Sequence, residues 1–516
     1  MPKQQTDHLF QLIKSLSKSE KRNFKVYVNR IGSAHTSKFI MLFDILDKAD
    51  EYNEEIILKK ADSIKPAQLS NLKAHLYKQL LISLRLINLN NDIDIGIREQ
   101  IDYAKVLYNK GLFRQSLRIL EKVKNTAIKH KRNSLHYEII EFEKLIELQY
   151  ITRSIETRAE ELTNESENIS SILSSTGRYS NLALKLYGLY LKVGYVRNRK
   201  DMLMVKKFFD SNFKHPDLNR CSFYEKLYIF QSYVWYNYII QDFLTCYKYA
   251  YKWVDLFHSD RNMIYIQTDM YLKGLNNLLG ALFMIRHHRR FSDTLNALED
   301  LTKDRNIHLN DNTSMLLYLF IYMNRINEHF LYGTFTKGLD IVPRVESYLK
   351  KYSRNIDNHR ILVFYYKIAC LYFSSGDHRT AIKYLNRIIN FKDIHLREDI
   401  HCFARILNLI SHFELGNEEL IEYQVRSTYR FLAKMDDLHL VQKYILLFLR
   451  RLSDIEPDDL IQEFKKLHKK FIALADDPFE KRPFLYLDII SWLESKIQNR
   501  PVQEIIREKA KAEYNK

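Results

Sequence analysis

A chain of 516 residues that is 46% hydrophobic can bury a large core, which excludes a disordered protein; with only 12 glycines and 8 prolines, it has little material for phosphate loops or strand turns, so helices should dominate. The net charge of +17 is carried by a surface with 28% charged residues of both signs, which describes a solvated helical exterior first and an anionic partner second. Cys221, Cys246, Cys370 and Cys402 lie far apart with no CxxC pair, and read as buried free thiols of a reducing compartment rather than as disulfides or a zinc site.

Residues 1–95 read as an N-terminal helical bundle: a long helix through LFQLIKSLSKSEKRNFKVYV, then SKFIMLFDILDK, EEIILKKA and PAQLSNLKAHLYKQLLISLRLI, with Pro66 suited to a first helical turn. The order of short helix, turn and longer helix leaves two readings open. In one it mimics a helix-turn-helix, and Gln68, Ser70, Asn71, Lys73 and Lys78 face DNA. In the other the bundle seals the repeats that follow, and Leu69, Leu72, Leu76 and Leu80 are ordinary core.

From residue 96 the chain becomes rhythmic. IDYAKVLYNKGLFRQSLRILEKV at 101–123 is two apolar stripes joined by a turn at Gly111, with Ala104 and Ser116 small enough for close helix approach. YVWYNYIIQDFLTCYKYA turns near Gln241, LLGALFMIRHHRRFSDTLNAL near Arg289, and IYMNRINEHFLYGTFTKGLDIVPRV near Gly333, with Pro343 expected to kink the second helix of the last. YYKIACLYFSSGDHRTAIKYLNRI at 365–388 is the clearest unit, with Gly376 at the helix end where a left-handed conformation favours glycine. Turns near Gly111, Arg153, Gly194, Gln241, Arg289, Gly333, Gly376 and Gly416 are spaced by 42, 41, 47, 48, 44, 43 and 40 residues. Such hairpins bury one side only and need neighbours, so the expectation is an all-α solenoid of about eight hairpins over 96–435 with a period of about 40–48 residues.

The aromatic, small and glycine positions of the 365–388 hairpin resemble those of the tetratricopeptide family, with Tyr365 where the family often has Trp. The period exceeds the roughly 34 residues of the standard repeat, implying longer helices. The resemblance implies that the first helix of each hairpin lines a concave groove, which would place Lys105, Tyr108, Asn109, Glu143, Glu147, Gln231, Trp235, Tyr238, Asn327, Phe330, Tyr366 and Phe373 there. Such a lining of aromatics, amides and charges suits an extended peptide or a partner helix, although each aromatic could equally be core between repeats. The lysine and asparagine pattern by which some family members hold a C-terminal carboxylate is missing at the matching places, two of which are Tyr366 and Cys370. Basic residues recur at or after the turns, namely Arg114, Arg153, Arg197, Arg199, Lys200, Arg286, Arg289, Arg290 and Arg379, and would form one edge of the solenoid. That edge reads either as solubilising charge or as a contact for an acidic protein or a phosphate backbone.

Residues 436–516 continue as helices, HLVQKYILLFLRRL, DDLIQEFKKLHKKFIAL and PFLYLDIISWLESKI, the last of them nearly all apolar, so that a buried penultimate helix with REKAKAEYNK as polar cap completes a C-terminal cap continuous with the solenoid. Apolar runs such as YILLFL fall short of the roughly 18 residues of a membrane span, and the start lacks a secretory apolar region, so a cytoplasmic protein without membrane contact is expected. No GxxxxGK, GxGxxG, HExxH or GxSxG motif occurs. His395, His401 and Cys402, or His287 and His288, do not set three metal ligands on one face, and Glu160 and Glu161 read as a solvated face. The expectation is therefore no catalytic residue, no metal and no cofactor, in a scaffold that binds a protein or peptide. The runner-up, a layout resembling peptide-responsive bacterial regulators, pairs nucleic-acid- or effector-contacting N-terminal helices with peptide-sensing repeats. An enzyme would require a deep pocket of converging titratable groups.

Overall fold

A computed structural model describes residues 7–31, 36–61, 64–89, 91–150, 155–196, 198–307, 309–353, 355–392, 397–434, 439–451, 454–475, 477, 479–480, 484 and 488–514. Among these residues the secondary structure is helical, with no strand. The chain divides into two compact units, Met1–Leu173 and Ser174–Lys516.

In the first unit α1 (His8–Ser15), α2 (Lys18–Ile31), α3 (Thr36–Lys48), α4 (Glu54–Lys60) and α5 (Pro66–Asn88) pack around Ile13, Phe24, Leu42, Phe43, Leu46, Leu76 and Leu80. The single long helix expected from LFQLIKSLSKSEKRNFKVYV is two helices. Ser17 and Glu20 form a reciprocal cap, in which the Ser17 N–H donates to Glu20 Oε2 at 2.7 Å and the Glu20 N–H donates to Ser17 Oγ at 3.2 Å, restarting the helix after Leu16. The Ser-Lys-Ser-Glu spacing carries this signal in the sequence. Pro66 occupies the first turn of α5 as expected. Next come α6 (Ile93–Asn109), α7 (Phe113–Lys129) and α8 (Asn133–Gln149). Their close approach is visible where Ser116 Oγ donates to the Ala104 carbonyl at 2.8 Å. The helix α9 (Ile155–Val193) carries the boundary between the units.

The second unit adds α10 (Arg199–Asn212), α11 (Phe223–Ile239), α12 (Phe243–Ser259), α13 (Asn262–Ile266), α14 (Thr268–Met284), α15 (His288–Asp300), α16 (Asp311–Tyr332), α17 (Phe335–Gly338), α18 (Val342–Lys351), α19 (Asn358–Ser375), α20 (His378–Ile389), α21 (Glu398–Glu414), α22 (Glu418–Lys434), α23 (Leu440–Arg450) and α24 (Leu460–Ala475), followed by helices Ile489–Gln498 and Val502–Tyr514. From α11 to α16 and again from α19 onward, successive helices pack on one another, and one continuous core runs through the unit, with Trp253, Phe291, Phe364 and Trp492 among its largest buried side chains.

Left-handed residues close the helix pairs at Gly111 (φ 74°), Gly194 (φ 70°), Gln241 (φ 63°), Gly333 (φ 61°), Gly376 (φ 94°) and Gly416 (φ 69°), all expected turn positions. The turn expected near Arg289 lies three residues earlier: Arg286 takes φ 53°, and Arg289 is already inside α15. The turn near Arg153 falls outside the described residues, and a further left-handed turn, at Lys131 (φ 51°), joins α7 to α8. Pro343 does more than kink its helix. The segment breaks into α17, a 3₁₀ turn at Leu339–Ile341 and α18, because the proline ring cannot continue the preceding hydrogen-bond ladder.

The last helix departs from its expected role as a polar cap. Val502–Tyr514 buries Ile505, Ile506 and Ala510 and packs on α16 and α19, in addition to the helix before it. A Cβ on Gly333 would lie 2.6 Å from the Arg507 backbone nitrogen, so glycine is required there for close approach as well as for its φ. Thr336 Oγ1 donates to Gln503 Oε1 at 2.9 Å. The charged residues that suggested a solvated end instead bridge back, Arg286 to Glu513 at 3.3 Å and Lys509 to Glu494 at 2.6 Å.

Candidate functional site

In α16 and α19 a few polar side chains interrupt otherwise apolar runs. Asn324 and Asn327 stand one helical turn apart on α16 and are 1% and 6% exposed, which obliges them to find partners inside the protein. Lys367 Nζ on α19 donates to Asn327 Oδ1 at 2.6 Å. Asn327 donates to Asn324 Oδ1 at 3.1 Å, and Asn324 to Asn276 Oδ1 on α14 at 3.0 Å. The donors all point the same way, so each bond polarises the next and negative potential accumulates at the oxygen facing the ammonium. The same Nζ stands 5.6 Å from the Phe283 ring centre and 5.3 Å from that of Phe330, within cation–π reach of both.

Among the described residues Asn327 is the one hydrogen-bond acceptor of Lys367 and no carboxylate reaches it. Burial lowers the ammonium to about 8, with Arg397 adding to the effect and Cys370 opposing it. The Cys370 thiol is itself pushed up to about 12 by burial, so it remains protonated at neutral pH. The two rings next to this cation, Phe283 and Phe330, also line a cavity of about 160 Å³ together with Cys370, Phe373 and, from the last helix, Val502, Ile506 and Ala510.

The surroundings extend toward α11. Arg397, left-handed at φ 59°, forms a double hydrogen bond with Asp399 at 2.8 and 2.7 Å. Its charge is felt at Tyr187, Tyr238 and Lys367, and after burial it is the next cause holding His359 at about 4. Trp235 lies between Tyr187 (4.7 Å between ring centres) and Tyr190 (5.4 Å), with Tyr238 against Tyr190 and Phe243. The Trp235 indole N–H is buried and, among the described residues, finds no acceptor.

The structure therefore brings Asn327 and Phe330 to Lys367, Phe330 and Phe373 to the cavity wall, and Trp235 and Tyr238 to an aromatic cluster; Tyr366 is buried on α19 and Gln231 half-buried on α11. In the first unit Lys105 Nζ lies 4.7 Å above Tyr108 and 5.1 Å above Phe142, Tyr108 donates to Gln149 at 2.7 Å, and Asn109 is exposed. Glu143 is 1% exposed and pairs with Lys124 (2.8 Å) and Arg158 (3.3 Å), while Glu147 lines a charged cleft with Arg114, Arg118 and Glu121. Glu143 is thus the anion of a buried network before it is anything else.

The basic positions are dispersed in their roles. Arg286 bonds Glu513 and stands 3.9 Å from Asp488, and Arg290 lies over the Tyr247 ring at 5.8 Å. Arg199, Lys200, Arg289 and Arg379 are exposed; Arg153 and Arg197 lie outside the described residues. On α5, Gln68, Ser70, Asn71 and Lys78 are exposed, but Lys73 is held by Asp7 at 2.5 Å and Glu54 at 2.9 Å and is not open to a phosphate. Among the described residues no three His, Cys, Asp or Glu side chains assemble a metal site, and no helix is long and apolar enough to cross a membrane. His395 falls outside the described residues.

Sequence reasoning missed Lys367, Asn324, Asn276 and Phe283. The available signal was a polar residue inside an otherwise apolar helix, as in YYKIACLYF, where burial demands a partner. Comparison with protein-family models, with curated proteins and with solved structures returned no match for this chain.

Proposed function

We propose that this chain is a non-catalytic binding scaffold of the cytoplasm whose residues 96–435 form a solenoid of tetratricopeptide-like hairpins, capped by helices at 1–95 and 436–516, and that it holds a peptide or partner protein in the groove of its second unit. The repeat reading is supported by left-handed turns at six of the regularly spaced positions. The binding reading rests on one observation: Lys367 is a cation backed by three amides and two phenyl faces, yet among the described residues no carboxylate pairs with it. A charge held in that way costs stability unless something repays it, and an anionic group on a ligand, flanked by the apolar wall of Phe330 and Phe373, does so.

The test is affinity capture on tagged wild-type and Lys367→Met protein, each with and without nuclease, read by mass spectrometry. A protein enriched by wild type, retained after nuclease and lost from Lys367→Met supports the reading. Retention by the variant removes the groove from the account. Loss of all protein partners on nuclease treatment favours the second reading, a regulator whose N-terminal helices meet nucleic acid, for which the exposed Gln68, Ser70, Asn71 and Lys78 of α5 speak.

A further inference from the structure

A second surface of the second unit has a different chemistry. Between α22 and α23 lies an open cleft of about 510 Å³ lined by Val425, Arg426, Tyr429 and Arg430 from one helix and by Lys443, Leu446, Leu447 and Arg450 from the other. Val425 and Leu446 are 3% exposed and form the floor, while Tyr429 and Leu447 are 50% and 46% exposed and form apolar shoulders. All four charged lining residues are basic and exposed, and none of the lining residues is acidic. Arg430, Lys443 and Arg450 make no ion pair among the described residues; Arg430 Nε donates to the Arg426 carbonyl at 3.4 Å.

The spacing is that of two helix faces. Arg426 and Arg430 are four residues apart, as are Val425 and Tyr429, and Lys443, Leu447 and Arg450 follow at intervals of four and three. Two ridges of cations thus flank a trough of aliphatic and tyrosyl surface. Phosphates of a nucleic acid would meet the cations but leave Leu447, Leu446 and Val425 without use, and Tyr429 is the one ring available for stacking. A bilayer would meet the exposed Leu447 and Tyr429 but leave the buried floor of Val425 and Leu446 without use. A third helix fits both features, with its own apolar ridge in the trough and carboxylates on either side of that ridge.

We propose that the cleft between α22 and α23 is a docking site for an acidic amphipathic helix of a partner protein. Leu residues of that helix fill the space over Val425 and Leu446, and its Glu or Asp residues pair with Arg430, Lys443 and Arg450. The site is independent of the Lys367 groove and does not rest on the function proposed above.

Fluorescence anisotropy on the full chain tests it with four probes: a peptide of about 16 residues with leucines at i, i+3, i+4 and i+7 flanked by glutamates, its scrambled isomer, oligothymidine, and phosphatidylglycerol vesicles. The amphipathic peptide should bind about tenfold or more tighter than its scramble, and its affinity should fall as salt rises from about 50 to about 300 mM. Leu447→Glu should abolish binding and Arg430→Glu should weaken it about tenfold, with melting temperatures unchanged because both side chains are exposed. Equal binding of peptide and scramble, tighter binding of oligothymidine or vesicles, no binding by any probe, or an unaltered affinity of Leu447→Glu would each overturn the proposal.

Discussion

The two units place lysines in their interiors in opposite ways. In the first, Lys124 is bonded to Glu143 at 2.8 Å and to Glu165 at 3.1 Å, Glu143 also takes Arg158, and His136 completes the set through Glu165 at 2.7 Å. In the second, Arg325 is similarly paired with Glu299 and Glu328, but Lys367 faces, among the described residues, amides and rings. A saturated network has no capacity left and holds helices together, whereas an unsaturated cation retains capacity for a ligand. Charge content therefore says less about function than the state of charge balance does.

Removing one member of each set should break the symmetry between them. Glu143→Gln leaves Lys124 and Arg158 facing a neutral group in a buried position and should cost about 3 kcal/mol in urea unfolding of the full chain; a change below about 1 kcal/mol would show that the network is not structural. Next in size is a change on which the units should agree. Gly111 and Gly376 both have positive φ and open space where a Cβ would stand, so valine at either place should cost about 1–3 kcal/mol through backbone strain alone, read as a lowered melting temperature. An unchanged melting temperature would mean the turn relaxes freely.

Smaller again, Lys367→Met should alter stability at pH 7 by less than about 1 kcal/mol, because the lost bond to Asn327 is offset by removing a buried cation. A loss as large as that of Glu143→Gln would make the two lysines equivalent and end the comparison. The pH dependence separates the two lysines further. Below about 8 Lys367 is charged in both folded and unfolded chains, and above 10.5 in neither. In between, the unfolded chain holds the proton that the folded chain has released, so the folding penalty fades as pH rises and stability increases through that window. The difference in unfolding free energy between wild type and Lys367→Met should therefore shift in favour of wild type from pH 8 to 10.5, and a flat difference would place Lys367 at an ordinary solvent-exposed value.

Much of the helical layout was legible because its causes are local. Gly111, Gly333, Gly376 and Gly416 announce left-handed helix ends, and alternating apolar stripes announce the helices they join. Finer local signals carry the departures: the cap at Ser17 and Glu20 splits the first helix, and Arg286 rather than Arg289 takes the turn. The Lys367 site was not legible for another reason. Its partner Asn327 is 40 residues away, and nothing in YYKIACLYF says which amide will meet the lysine. Likewise the contact of Arg286 with Glu513 spans 227 residues and has no local signal.

That last contact bears on the order of assembly. Most helix contacts in the second unit join near neighbours along the chain and can form by local zippering, with little loop-closure entropy. The helix Val502–Tyr514 instead returns to Gly333 across 174 residues, so it must wait for α16 and α19 to be in place. It should dock late in refolding and release early in unfolding, and its amides should exchange with solvent through an opening that leaves the body of the unit intact.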